Sequence, residues 1–406
     1  MPLRRTVLAG LLMAGCSFDA SGSASPGDGA PPADRADGLG GGDRPTGDVI
    51  AGLGVVHVPH DGQFTGSGDL IFSGTVTITT GPGTPTISSG IPSGVRFDVW
   101  PQECPCGSPS CPELAVIHTQ QFVVNAGATV RVTGSRPLVV IASSNVLVDG
   151  LLDAGGHLTA PGPGGAAAGA GPGAGGAGQS NGTNDAGGGG AGFGQVGAAG
   201  GDATMPSSRA RGGGGGAEYD APEVNVLQGG SGGGNGSPGA CSPGSEGGAG
   251  GGALELFSLT TIQTGVNGAI HVGGGGGSGG ADCSNDGGGG GGGSGGALVL
   301  QAPLVVNMGA LASNGGAGGA AGSNSGAGAP GQDASATASP AQGGVPLSTA
   351  GAGGNGGSVT SPPQAGASAT YNAGGGGGAV GRIRILHQMS FTASGIITPP
   401  ASVAAY

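Results

Sequence analysis

A chain of 406 residues with 105 glycines and 29 prolines, but only 8% charged and 3% aromatic residues, is not composed like an ordinary globular domain, where about a quarter of residues are charged and about 7% are glycine. The net charge of −12, with scattered basic residues that are all arginine, excludes the clustered cations that displace counterions from nucleic acid. A mean hydropathy of +0.09 and apolar residues gathered into β-branched runs exclude a wholly disordered chain.

The chain opens MPLRRTVLAGLLMAGC, two arginines and a short apolar run ending in small residues and Cys16. The run is too short to cross about 30 Å of hydrocarbon as a helix, and its flanks are those of a cleaved signal. Leu12-Met13-Ala14-Gly15-Cys16 resembles the lipobox of bacterial lipoprotein signals, with Met13 departing from the usual Leu, Val or Ile. The resemblance implies cleavage after residue 15, lipidation of Cys16 and attachment to the membrane, in the outer membrane of a bacterial envelope. More than one acyl chain makes such an anchor stable, each buried methylene contributing about 0.8 kcal/mol. Residues 16–48 are Ser, Gly, Pro, Ala and Asp with almost no large apolar side chain, which predicts a disordered tether.

Residues 49–156 read as strands. Val76 and Ile78 alternate with threonines, Val95, Phe97 and Val99 with Arg96 and Asp98, and Val130 with Val132 across Arg131. Alternation at period two predicts strands with one buried face. No run has the 3.6-residue period of a helix after the signal, so almost no helix is expected. Five cysteines remain once Cys16 is assigned to lipid, and export makes disulfides the expected state. Cys241 and Cys283 lie in insertions of successive repeats and are the expected pair. Cys111 pairs with Cys104 or Cys106, closing a small loop. The spacing of Cys104, Cys106 and Cys111 lacks the CxxC element of a zinc site.

One unit recurs, first at the end of the 49–156 part and then through 157–400, where glycine-rich insertions separate the copies. PLVVIASSNVLVDGLLDAGG (137–156), GGALELFSLTTIQTGVNGAIHVGG (251–274), GALVLQAPLVVNMGALASNGGAGG (296–319) and GAVGRIRILHQMSFTASGIITPP (378–400) each pass through a glycine, Gly150, Gly268, Gly309 or Gly395. Two residues later stands Leu152, Ile270, Leu311 or Ile397. A weaker copy begins at Ala217. Strand, glycine bend and short strand resemble the rung of a right-handed parallel β-helix, in which stacking completes a core no rung buries alone. The rungs stay constant while the glycine-rich insertions vary in length, so the insertions should emerge on one face as a layer. Triplets such as GGAGGA resemble the glycine-rich repeats of PE-PGRS proteins, which implies packed extended glycine chains of polyproline II type. Residues 401–406 read as a tail.

Candidate chemistry is sparse. GQSNG and the GGSGG copies have no strand-to-helix frame for a nucleophile elbow, and no catalytic residue or metal ligand is assigned. His57, His60 and Asp61 (HVPHD) and the acids Asp149 and Asp153 beside the Gly150 bend are the sharpest clusters. The pairs Asn184-Asp185 and Asn285-Asp286 leave calcium as the one conceivable cofactor, although the calcium-binding nonapeptide repeat is absent. Arg382 and Arg384 alternate with Ile383 and Ile385 and are expected to face solvent. The whole resembles uncharacterised glycine-rich bacterial lipoproteins: an all-β solenoid on a lipid tether, a non-enzymatic surface component. The alternative is an extracellular β-helix that binds or cleaves polysaccharide through acidic residues.

Overall fold

The computed structural model describes residues 54–102, 111–206, 208–239, 244–282 and 287–406. It is all-β; a three-residue 3-10 turn, His60–Gly62, is the sole helical element among the described residues. No helix there is long and apolar enough to cross a membrane. The strands in chain order are β1 (Leu70–Phe72), β2 (Thr75–Thr79), β3 (Thr86–Ile87), β4 (Arg96–Trp100), β5 (Leu114–Thr119), β6 (Phe122–Val124), β7 (Thr129–Thr133), β8 (Leu138–Ala142), β9 (Val146–Val148), β10 (Leu151–Asp153), β11 (Ala253–Ser258), β12 (Thr261–Thr264), β13 (Ala269–His271), β14 (Ala297–Asn307), β15 (Ala310–Ala312), β16 (Arg382–Ala393), β17 (Ile396–Thr398) and β18 (Ser402–Ala405).

They form an 11-stranded and a 7-stranded sheet, mostly parallel. The antiparallel exceptions are β3 on β2 and β4 on β5, both on the N-terminal side. Each apolar residue lies beside its counterpart from the preceding pass. In the smaller sheet Val76, Val130, Leu152, Ile270, Leu311 and Ile397 are consecutive register partners. In the larger, Ile117, Val140, Leu256, Leu300 and Ile385 do the same. All of these except the partly buried Ile397 are buried in one core between the sheets. The residues two positions after each repeated glycine therefore stack on one another. Those glycines have no left-handed φ. Their requirement is close approach: a Cβ on Gly150 would strike the carbonyl of Ala128, one on Gly268 that of Val148, and one on Gly309 that of Gly268.

The strands β5, β8 and β11 are buried along their whole length. Their second face, with Leu114, Val116, Val139, Ile141 and Phe257, is covered by Val55, Val58, Phe193, Val224 and Leu227. The stretch from Ala217, expected as a weak copy of the repeat, forms no strand. It is a covering loop with left-handed φ at Asp220 and Val224. Two-faced burial explains why these strands read as continuous apolar runs rather than alternating ones.

The glycine-rich insertions are ordered by one another. In residues 287–295 the amides rotate among three neighbours with period three. Gly288, Gly291 and Ser294 donate to Ser237, Gly234 and Ser231; Gly289, Gly292 and Gly295 to Ala373, Gly376 and Ala379; Gly290 and Gly293 to Ser278 and Gly275. Carbonyls of the same strand accept from three further segments, through Gly188 and Ala191, Gly248 and Gly251, and Gly316 and Gly319. Residues 186–194, 313–322 and 372–381 are likewise bonded to six neighbours. Buried backbone groups must find partners, and a strand without side chains satisfies them on every side.

Candidate functional site

Among the described residues, titratable groups concentrate where the smaller sheet meets the glycine layer. Arg131 in the middle of β7, Asp153 at the end of β10 and His271 at the end of β13 are register partners. Parallel stacking therefore places three ionisable side chains in one row. The Asp153 carboxylate accepts from Arg131 Nη1 at 2.8 Å, His157 Nε2 at 3.0 Å, His271 Nδ1 at 3.1 Å and the Gly155 amide at 3.1 Å. His157, in the turn after β10, also donates from Nδ1 to Asp333 Oδ2 at 3.2 Å. Asp333 belongs to an insertion strand 176 residues away, and its Oδ1 accepts the amides of Leu158 and Gly276 at 2.7 and 2.8 Å.

The electrostatics follow from this geometry. Hydrogen bonds to Asp153 and then Asp333 outweigh desolvation and hold His157 up at about 9. Burial opposes the charge on Asp153, but the bonds from His157 and His271 and the Arg131 guanidinium put its carboxyl well below the usual range. Asp333 is likewise lowered, its burial overcome by His157 and the two backbone amides. Both His157 nitrogens donate, so the ring is an imidazolium with no lone pair for a base's task. The cluster's chemistry is that of a clamp: five side chains from four stretches of the chain are tied by charge-assisted bonds. Within it His271 Nε2 is buried and has no partner.

A second buried pair pins the covering loop. His57 Nδ1 donates to Glu255 Oε2 at 2.9 Å and Nε2 to the Val224 carbonyl at 2.8 Å. Burial disfavours the charged ring, yet Glu255 more than compensates and raises its pKa. His60 and Asp61 are exposed, so HVPHD is no metal pair. Asp149 is exposed and Asp153 buried, and they do not act as a carboxylate pair. Arg382 and Arg384 do not face solvent freely: Arg382 donates to Glu218 and to the carbonyls of Tyr219 and Asp220. Arg384 donates to Ser402 in β18, which forms a further strand beside β16.

No group of three His, Cys, Asp or Glu able to hold a metal occurs among the described residues. Cys111 is disulfide-bonded. Cys16, Cys104, Cys106, Cys241 and Cys283 lie outside the described residues, as does Asn285-Asp286. Sequence reasoning singled out Asp153 but missed its partners His157, His271 and Arg131, and Asp333 on the far side of His157. The equivalent position of Asp153 and His271, each two residues before a glycine run, was the available signal. The chain matches no protein-family model, no curated protein and no solved structure.

Proposed function

We propose that this protein is a lipid-anchored, non-enzymatic structural or adhesion component of a bacterial cell envelope, held at the outer membrane through Cys16. In this reading the stacked strands are rungs of a right-handed parallel β-helix, and the insertions are a polyglycine II-like layer on one face. The observation that carries it is the backbone hydrogen-bonding of residues 287–295 to six neighbours. Such a layer offers rigidity and a surface with few functional groups, which suits a scaffold better than a catalyst. The closed Asp153–His157–Asp333 cluster points the same way, because its ionisable groups are engaged in holding the layer to the sheet. Metabolic palmitate labelling of the full chain tests the anchor: label is expected in the natural protein and absent from Cys16→Ala. Label that persists in the variant refutes it.

A polysaccharide-binding role is the second reading, favoured by one groove of about 430 Å³ that crosses successive bends near Asn267, Met308 and Ser394. Its lining includes no carboxylate, so it supports binding rather than cleavage. Retention on immobilised envelope glycans, lost on Asn267→Ala, is the expected result under that reading.

A further inference from the structure

Asp185 is fully buried. Its Oδ1 accepts from Ser237 Oγ at 2.6 Å, whereas Oδ2, also shielded from solvent, receives no hydrogen bond. The preceding Asn184 is buried too; its amide nitrogen donates to the Ser208 carbonyl at 2.8 Å, and its Oδ1 receives nothing. Two adjacent residues thus carry buried oxygen acceptors with no donor. Ten ion pairs involve other residues of the described chain, and none reaches Asp185. An isolated carboxylate out of water is costly unless a charge compensates it.

Its place in the fold sharpens the point. The strands at 186–194, 287–295 and 372–381 form a closed triangle in which Gly188 donates to Gly289, Gly289 to Ala373 and Gly376 to Gly188. The increasing numbers of successive bonds make all three mutually parallel, so their starts lie at one end of the layer. Asp185 stands at that end, bridged in parallel to Asn372. Its amide donates to the Tyr371 carbonyl, and its carbonyl accepts from Ala373. In the sequence, Asn184-Asp185 immediately precedes the first of these strands. Oxygen-only donors, one of them anionic, suit a hard cation rather than a soft one.

We propose that Asp185 is a ligand of a calcium-class cation that closes this end of the three-strand parallel core, with the Ser237 hydroxyl and the Asn184 side-chain oxygen as neighbouring donors. The cation would tie the start of the strand at 186–194 to the neighbouring segment at Ser237, which the Asp185 carboxylate already meets through one side-chain hydrogen bond, so its effect is on the cohesion of the layer. The inference is independent of the lipid anchor.

The test uses the full chain, stripped with chelator, then desalted after exposure to calcium chloride. About one equivalent of calcium retained per chain is expected, with a melting midpoint higher in calcium than in chelator, and magnesium unable to substitute. Asp185→Asn should retain no calcium and melt at the same temperature in both buffers, no lower than the natural protein in chelator. Failure of the natural protein to retain calcium, or equal retention by Asp185→Asn, overturns the proposal. So does a loss of stability in the variant that is the same in calcium and chelator. If circular dichroism finds the variant unfolded, calcium retention and calcium-dependent melting of the natural protein decide the matter alone.

Discussion

Gly291 lies so close to Gly189 that a Cβ on the first would overlap the carbonyl of the second. Glycine there is a packing requirement, set by a neighbouring strand 102 residues away in sequence. Gly291→Ala should destabilise the protein by about 1–3 kcal/mol, the usual cost of overpacking. Gly214 is the matched control. It is exposed, has no left-handed φ, and a Cβ on it would meet nothing within 4 Å. Gly214→Ala should be neutral or stabilising by about 0.4–1 kcal/mol through the unfolded state. Thermal melts of both variants check the contrast; equal effects would contradict it.

His157 gives the clamp a defined pH dependence. Its folded pKa, about 9, lies above the ordinary 6.5, so its contribution is full below 6.5 and is lost as pH rises through 9. Its depressed partners Asp153 and Asp333 act in the opposite direction, keeping their contribution until pH falls through their lowered values. The His157 side chain is 44% exposed, so screening reduces the effect to about 1–2 kcal/mol. Chemical denaturation at pH 6 should separate His157→Gln from the natural protein by that amount, and the gap should close by pH 10.

His118 predicts acid sensitivity of a different part. Its ring is stacked on Phe64 at 3.8 Å and its Nδ1 bonds the Phe64 carbonyl at 2.8 Å. Burial, with nearby Arg96 adding to it, pushes its pKa down to about 4. Between pH 6.5 and 4 the unfolded chain binds a proton that the folded chain refuses, so stability falls as pH falls through that window. His118→Gln should show a shallower loss of melting temperature between pH 7 and 5. An unchanged slope would remove His118 as its source.

Glu255 and His57 are both enclosed, with side-chain exposures of 0% and 2%. Glu255→Ala leaves the buried His57 Nδ1 without its carboxylate acceptor, and removing one partner of such a pair typically costs about 3–5 kcal/mol. The double variant Glu255→Leu, His57→Leu should recover most of that loss. Urea denaturation of the single and double variants measures the difference.

The strand framework was legible because its signal is local. Val76, Val130, Leu152, Ile270 and Leu311 each sit in short alternating or glycine-bounded runs, and each is buried in register with the next. The covering loop was not legible as such, because Val224 and Val226 alternate like a strand; its task is set by the second apolar face of β5 and β8, which demands a lid. Asp153 drew notice through its neighbour Asp149, yet its real partners include Asp333 by way of His157, 176 residues on. A pairing between an invariable strand and a variable insertion leaves no spacing rule in the sequence. The six-neighbour glycine strands lay between: composition pointed to close backbone packing, and only the hydrogen bonds gave its geometry.

The rotation of amides among three neighbours has a consequence for how such a chain can change length. Adding or removing one residue in a glycine strand turns every later amide by a third of a turn, onto the wrong neighbour. A change of three restores each amide to the same neighbour one step along, as Gly288, Gly291 and Ser294 already do along Ser237, Gly234 and Ser231. The layer can therefore grow or shrink in whole triplets while the sheets beneath it stay fixed. Single-residue slips are confined to the turns.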